Sequence, residues 1–180
     1  MKKLALAMAV MALTLSACGQ KNNMKTLVAY FSATGTTETV ARDLAQAAGA
    51  TLYEIKPEVP YTEADLDWRD TTSRSTLEMQ DKSSRPAIVQ DLKDAGSYDI
   101  IYIGFPIWWY TATTIINTFI EAYDFKGKTV IFFATSGGSG IEGADKQFHE
   151  QYPDLRWKAG KLLNGASKAD MKAWVKANNQ

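Results

Sequence analysis

Cysteine and histidine are almost absent from this chain. Its 180 residues include 1 Cys and 1 His, which excludes an intramolecular disulfide and a structural zinc site built from four Cys and His ligands. Lys plus Arg number 20 and Asp plus Glu also number 20. This balance disfavours a nucleic-acid-binding protein and an acidic disordered tail. With 46% hydrophobic residues, the composition and length indicate one globular domain.

The first 17 residues have the pattern of an export signal. A pair of N-terminal lysines precedes an apolar segment from Leu4 to Leu15, and small residues follow, as in a secretory signal peptide. The segment ends in Leu15-Ser16-Ala17-Cys18, which resembles the bacterial lipoprotein box, where cleavage precedes the Cys and its sulfur is lipidated. We therefore expect a lipoprotein signal peptide over residues 1–17, a tether over 18–24, and a membrane anchor at Cys18 in the bacterial cell envelope. An ordinary signal peptide, or an uncleaved anchor, is the alternative.

Residues 25–180 alternate predicted strands and helices. Short apolar runs predict strands at Thr26–Phe31, Ala50–Lys56, Tyr98–Phe105, Thr129–Ala134 and Leu155–Lys161. Apolar residues at helical spacing predict helices at Thr36–Ala48, Thr113–Tyr123, Ile141–Tyr152 and Lys168–Ala177. The alternation predicts a doubly wound α/β domain with a parallel sheet and helices on both faces. The last strand alternates charged and apolar residues, so we expect it at a sheet edge with one face in water.

Residues 57–97 form a long connection between the second and third predicted strands. Long ordered connections are often lids or binding surfaces, and apolar spacing predicts helical patches at Glu63–Trp68 and Ala87–Ala95. Arg74 and Arg85 are expected to be solvated rather than to meet an anionic substrate. His149 is expected at the surface without a functional role.

The segment after the first predicted strand indicates a phosphate site. Ligands of doubly wound sheets bind outside the carboxyl ends of the strands, where the strand order reverses. This segment, Ser32-Ala33-Thr34-Gly35-Thr36-Thr37, surrounds one glycine with hydroxyl residues and leads into a helix. The N–H groups and the dipole of the helix attract a phosphate. The pattern contains no Lys and lacks both the Walker and the dinucleotide glycine motifs, which disfavours nucleotide hydrolysis and NAD binding there. The alternative is a turn that only caps the helix.

The segments after the third and fourth predicted strands indicate a site for a flat ring. Pro106-Ile107-Trp108-Trp109-Tyr110 is apolar and aromatic, and such side chains stack on conjugated rings. Because adjacent side chains usually face different ways, we expect one Trp to touch the ligand; the alternative is that both cover the core or a partner. Thr135-Ser136-Gly137-Gly138-Ser139 allows backbone N–H groups to approach the polar edge of a ring.

Taken together, the three segments resemble the FMN site of the flavodoxin family, over residues 25–180. Ser32-x-Thr34-Gly35-x-Thr37 matches the family's phosphate loop, while the Pro-Ile-Trp-Trp loop and Pro60–Trp68 look like one branch of that family. The resemblance implies a five-stranded sheet of order 2-1-3-4-5 and FMN as the cofactor. It also implies phosphate contacts from Ser32, Thr34, Gly35, Thr36 and Thr37. Isoalloxazine contacts are implied from Pro106, Ile107, Trp108, Trp109, Thr135, Ser136, Gly137, Gly138 and Ser139.

Two departures from the electron-carrying flavodoxins bear on the expected chemistry. Those proteins are strongly acidic, whereas this mature chain is nearly neutral, and residues 106–112 contain no glycine whose peptide could flip to bond the N5–H group of the flavin semiquinone. Both departures favour two-electron chemistry. We expect a lipid-anchored FMN-binding redox protein that serves a redox partner protein or a small electron acceptor. The alternatives are an NAD(P)H-dependent quinone-type reductase and a non-catalytic module that binds FMN or another phosphorylated ligand.

Overall fold

Five parallel strands form the centre of the molecule. The computed structural model describes residues 24–179, so the predicted signal peptide, Cys18 and the tether up to residue 23 lie outside the described residues. The strands are β1 (Thr26–Tyr30), β2 (Thr51–Glu54), β3 (Ile100–Pro106), β4 (Thr129–Thr135) and β5 (Arg156–Leu162). Their order is β2-β1-β3-β4-β5 and every neighbouring pair is parallel. The predicted fold class and strand order are confirmed.

The connecting helices begin and end at local signals in the sequence. They are α1 (Thr36–Ala48), α2 (Arg74–Gln80), α3 (Ile115–Ala122), α4 (Glu142–Gln151) and α5 (Lys168–Asn178). Gly49, with a left-handed φ of 60°, ends α1, because glycine adopts this conformation without steric cost. Ser167 and Asp170 form a capping box at the start of α5. Within residues 24–179, no helix is long and apolar enough to cross a membrane.

Alternate side chains of the strands build one core on each face of the sheet. Leu27 and Ala29 point to the face that packs against α3 and α4. Val28 and Tyr30 point to the opposite face, against α1 and α5. Burial on both faces explains why the central strands are continuous apolar runs. The edge position expected for β5 is confirmed. The strand mixes exposed and half-buried positions, but the alternation breaks at Trp157 and Lys158, which are both half-buried.

The connection over residues 57–97 differs from the sequence-based prediction. Residues 87–94 are not helical, and Ala95 begins a 3₁₀ turn that ends at Ser97. Ile88 instead pairs with Pro57 in an isolated antiparallel bridge and is 2% exposed. Its spacing of apolar residues resembles a helix, but this tertiary contact outweighs local propensity. The Glu63–Trp68 patch contains one 3₁₀ turn, at Ala64–Leu66. The helix that does form, α2, was not predicted, since it carries few apolar residues and its clearest local signal is the N-cap Ser73.

Arg74, Arg85 and His149, which the sequence analysis places in solvent, are half-buried and contact other side chains. Arg74 pairs with Glu78, with Nε to Oε1 at 2.7 Å. Arg85 donates from Nε and Nη2 to both carboxylate oxygens of Glu121, at 2.8 and 2.9 Å, which ties the connection to α3. The expectation that both arginines are solvated is therefore wrong. The half-buried ring of His149 stacks on Trp157 at 4.9 Å, because α4 lies over β5 at this point.

Candidate functional site

A cleft of about 500 Å³ opens at the carboxyl end of the sheet. It lies at the end of β1, which has β2 on one side and β3 on the other, so the strand order reverses there. Ligands of such sheets bind at this point. Its walls come from the loops after β1, β3 and β4 and from the 57–97 connection. None of the residues that line it is charged; they are Ala33, Thr34, Leu66, Trp68, Ser75, Pro106, Ile107, Trp108, Trp109, Tyr110, Gly137 and Ser139. The volume is that of a small-molecule site.

The loop between β1 and α1 leaves hydrogen-bonding groups free for an anion. Gly35 precedes α1 with a left-handed φ of 84°, and within the described chain no side chain caps the start of this helix. The first N–H groups of a helix have no partner inside it, and the helix dipole adds positive potential there. Ser32 Oγ is buried and has no hydrogen-bond partner among the described residues. Thr34 and Thr36 bring their hydroxyl oxygens within 3.4 Å of one another. This loop can bind a phosphate without a basic side chain.

Thr37 differs from the other hydroxyl residues of this loop. It is 1% exposed, and its Oγ1 lies 2.8 Å from Oγ1 of Thr135. The hydroxyl of Thr37 therefore joins the loop after β1 to the end of β4. The backbone N–H of Thr37, in the first turn of α1, is the group it can offer to an anion.

The loop after β3 contains a tight turn without glycine. Trp108 and Thr111 exchange two backbone hydrogen bonds, at 3.1 and 3.0 Å, and the two residues between them, Trp109 and Tyr110, have φ values of 44° and 67°. Turns with two left-handed residues usually contain Asn and Gly. A Cβ at Gly143 of α4 would collide with the carbonyl oxygen of Tyr110, so close packing against α4 accompanies this strained backbone. Both tryptophans line the cleft, Trp108 half-buried and Trp109 43% exposed.

An aromatic and charged cluster supports Trp108 from behind. The Trp108 ring meets Phe31 and Tyr61 edge to face, with centroids 5.9 and 5.8 Å away. Tyr61 donates its hydroxyl to Glu78 Oε2 at 2.5 Å, and the guanidinium of Arg74 lies 3.9 Å above the Tyr61 ring. Burial and the Glu78 carboxylate raise the pKa of Tyr61, so its hydroxyl keeps the proton that it donates to Glu78 to a higher pH than a solvated tyrosine would. The 57–97 connection thus holds Trp108 in place.

The loop after β4 is ordered by its own hydroxyl and by one amide. Ser136 Oγ accepts hydrogen bonds from the N–H groups of Gly138 and Ser139, at 3.1 and 2.8 Å. Asn164 accepts from the Ser136 N–H and donates to the Ser136 carbonyl oxygen, both at 2.9 Å. Two of the N–H groups expected to face a ring are therefore used inside the loop. Gly137 and Ser139 line the cleft.

The comparison with known families agrees with this geometry. A family model described as Flavodoxin matches residues 25–178. The chain belongs to the flavodoxin family. No curated protein matches it, but many solved structures do.

Three solved structures of flavoproteins are similar to this flavodoxin-family chain. A candidate flavoprotein from Bacteroides eggerthii is 52% identical, with a TM-score of 0.84, and the match covers 86% of this chain and 98% of that one. A candidate flavoprotein from Bacteroides uniformis is 57% identical, with a TM-score of 0.82 and coverage of 85% and 98%. A Lactobacillus acidophilus flavoprotein, solved in complex with FMN, is 26% identical, with a TM-score of 0.63 and coverage of 79% and 95%.

The structure of this flavodoxin-family chain brings the predicted segments together at one edge of the sheet. The predicted residues that line the cleft are Thr34, Pro106, Ile107, Trp108, Trp109, Gly137 and Ser139. Ser32, Gly35, Thr36 and Thr37 belong to the adjoining phosphate loop, while Thr135, Ser136 and Gly138 support the loop after β4. Sequence reasoning noted Leu66 and Trp68 within Pro60–Trp68 but gave them no role at the site, and it missed Ser75 and the loop-ordering Asn164. Among these residues, the sequence offered one sign of a functional role: a large aromatic residue, Trp68, in a segment of mostly polar residues.

Proposed function

We propose that this protein binds FMN in the cleft and that the bound FMN accepts and donates electrons. The observation that carries this proposal is the union of an uncharged aromatic cleft with an uncapped helix start at one end. The aromatic walls suit a flat conjugated ring, and the helix start suits a phosphate dianion. The family match and the FMN complex of the Lactobacillus acidophilus flavoprotein support the same cofactor.

The phosphate and the isoalloxazine of FMN each have matching residues in this chain. The phosphate would be held by Ser32, Thr34, Gly35, Thr36 and Thr37, the last through its backbone N–H. The isoalloxazine would lie against Pro106–Trp109 and against Gly137 and Ser139, while Thr135, Ser136 and Gly138 would hold that last loop in place. FMN supplies one- and two-electron redox chemistry when bound. The chain's own residues bind and orient the ring and exclude water from its faces.

A lipid anchor completes the proposal. Cleavage before Cys18 and lipidation of its sulfur would hold the domain at a membrane of the bacterial cell envelope, because each buried CH₂ adds about 0.8 kcal/mol. The support for this step is the N-terminal sequence pattern alone. From that position the domain would serve a redox partner protein or a small electron acceptor.

The rim of the cleft favours a second candidate, a quinone-type reductase that takes electrons from NAD(P)H. Three large side chains at the cleft are exposed: Trp68 at 67%, Trp109 at 43% and Tyr110 at 77%. A cleft lined without charged residues gives little electrostatic steering to a charged redox protein, whereas its exposed aromatic side chains offer apolar area to a planar acceptor.

The test begins with titration of FMN into the full-length chain, followed by its fluorescence. Riboflavin is the matched control ligand, since it has the same ring and no phosphate; we expect it to bind much more weakly. Anaerobic reduction with dithionite and with NADPH then separates the roles. Two resolved one-electron steps indicate a carrier, direct reduction by NADPH indicates a reductase, and bound flavin that neither reagent reduces indicates a binding module. Absence of FMN binding would refute the proposal.

A further inference from the structure

Helix α2 places Ser75, a residue whose buried hydroxyl is unpaired among the described residues, in the wall of the cleft. Ser75 is 2% exposed, its Oγ has no hydrogen-bond partner among the described residues, and the residue lines the cleft. Ser73 and Thr76 beside it are also buried, but they satisfy each other: Ser73 Oγ donates to Thr76 Oγ1 at 2.9 Å and accepts from the Thr76 N–H at 3.4 Å. Ser75 is thus the exception in a group of three buried hydroxyl residues.

An unpaired hydroxyl of this kind is costly to the folded protein. A buried polar group without a partner loses its hydrogen bonds to water and gains nothing in return, so each such group in a native protein calls for an explanation. At the wall of a ligand cleft, the direct explanation is that the partner arrives with the ligand.

The surroundings of α2 keep Ser75 at this wall. The preceding residue, Arg74, donates from Nη1 to the carbonyl oxygen of Val59 at 2.7 Å and from Nε to Glu78 at 2.7 Å. Glu78 in turn accepts from Tyr61, whose ring supports Trp108. The Arg74 and Glu78 side chains are 24% and 14% exposed, which indicates a well-packed ion pair. Ser75 and Trp108 are therefore held by one connected cluster.

We propose that Ser75 is a cofactor-contacting residue whose hydroxyl donates a hydrogen bond to the polar edge of the isoalloxazine. The inference rests on the proposed function, since it needs a flavin in the cleft. It gives the 57–97 connection a role as a wall of the cofactor site. Within the cleft lining, Ser75 supplies a hydroxyl from an element outside the three loops.

The variant that tests this is Ser75→Ala in the full-length chain. We expect its dissociation constant for FMN to rise about three- to tenfold, the size of one hydrogen bond, and the absorption bands of the bound flavin to shift. Riboflavin should lose affinity by the same factor, because the contact is to the ring and not to the phosphate. Thermal unfolding of the cofactor-free variant should be unchanged or occur at a higher temperature, since the substitution removes an unsatisfied group.

Thr113→Val is the matched control. Thr113 is 1% exposed and its Oγ1 is also unpaired among the described residues, but Thr113 is not part of the cleft lining. This variant should bind FMN as the wild type does.

The outcomes separate this inference from the proposed function. Equal FMN affinity and equal flavin spectra for wild type and Ser75→Ala would overturn the inference alone, as would a lower unfolding temperature of the cofactor-free variant with unchanged affinity. A loss confined to FMN would overturn the assignment to the ring. Failure of the wild type to bind FMN would overturn both proposals.

Discussion

The turn at Trp109 and Tyr110 predicts an unusual order of stability for two substitutions. Tyr110 has a φ of 67°, and the left-handed region costs an L-residue about 1–2 kcal/mol. Glycine avoids this cost, but its greater freedom in the unfolded chain costs about 0.5–1 kcal/mol relative to alanine. At the midpoints of these two ranges, Tyr110→Gly has a free energy of unfolding about 0.75 kcal/mol higher than that of Tyr110→Ala.

Comparison with alanine isolates the backbone effect. Both variants lose the same tyrosine side chain, which is 77% exposed, so loss of its contacts cancels. The assay is urea unfolding of the cofactor-free full-length chain, followed by far-UV circular dichroism. Lys172, exposed in the interior of α5, supplies the control, because there glycine should be less stable than alanine by about 1 kcal/mol.

The result that would refute this reasoning is the same order at both positions. If alanine is as stable as glycine or more stable at position 110, the residue is not left-handed in solution. The tight turn between Trp108 and Thr111 would then have a different backbone conformation, and the placement of Trp109 at the cleft would need revision.

Three further predictions concern the sheet, the loop after β4 and alkaline pH. Gly104→Ala should lower the free energy of unfolding by about 1–3 kcal/mol in urea unfolding, because the new Cβ would overlap the buried ring of Phe133. Asn164→Ala should weaken FMN binding in a fluorescence titration by freeing Ser136, and Asn164→Asp, which keeps the acceptor oxygen, should lose less. Burial, followed by the Glu54 and Glu38 charges, raises the pKa of Tyr30 from 10.0 to about 12. The folded state thus holds this proton more tightly, so its contribution to stability is complete below pH 10 and is lost between pH 10 and 12; Tyr30→Phe should reduce that loss when unfolding is measured at pH 9 and 11.

The strands and most helices were predictable because their signals are local. A continuous apolar run such as Leu27–Tyr30 can be satisfied by burial on both faces of a parallel sheet, and Gly49 ends α1 through its own backbone freedom. The Ala87–Ala95 segment failed for the opposite reason: its apolar residues have helical spacing, yet Ile88 is buried by pairing with Pro57, which is 31 positions away in the chain. No local window contains that contact.

The candidate site divides in the same way. The loops after β1, β3 and β4 were predictable, since parallel strands bring their carboxyl ends to one edge of the sheet. The part played by Asn164 depends on its two hydrogen bonds to Ser136 across 28 residues, and that of Ser75 depends on where α2 packs. The left-handed turn at Trp109 and Tyr110 contradicts the preference of both residue types.

The sequence by itself determined the α/β alternation, the phosphate loop and the aromatic loop, because periodicity, glycine and residue type act within a few positions. The tertiary structure alone decided that the 57–97 connection forms a wall of the cleft, that Arg74 and Glu78 support Trp108 through Tyr61, and that Ser75 is buried without a partner. These features depend on packing between distant segments, where the free energy of a contact can exceed any local preference.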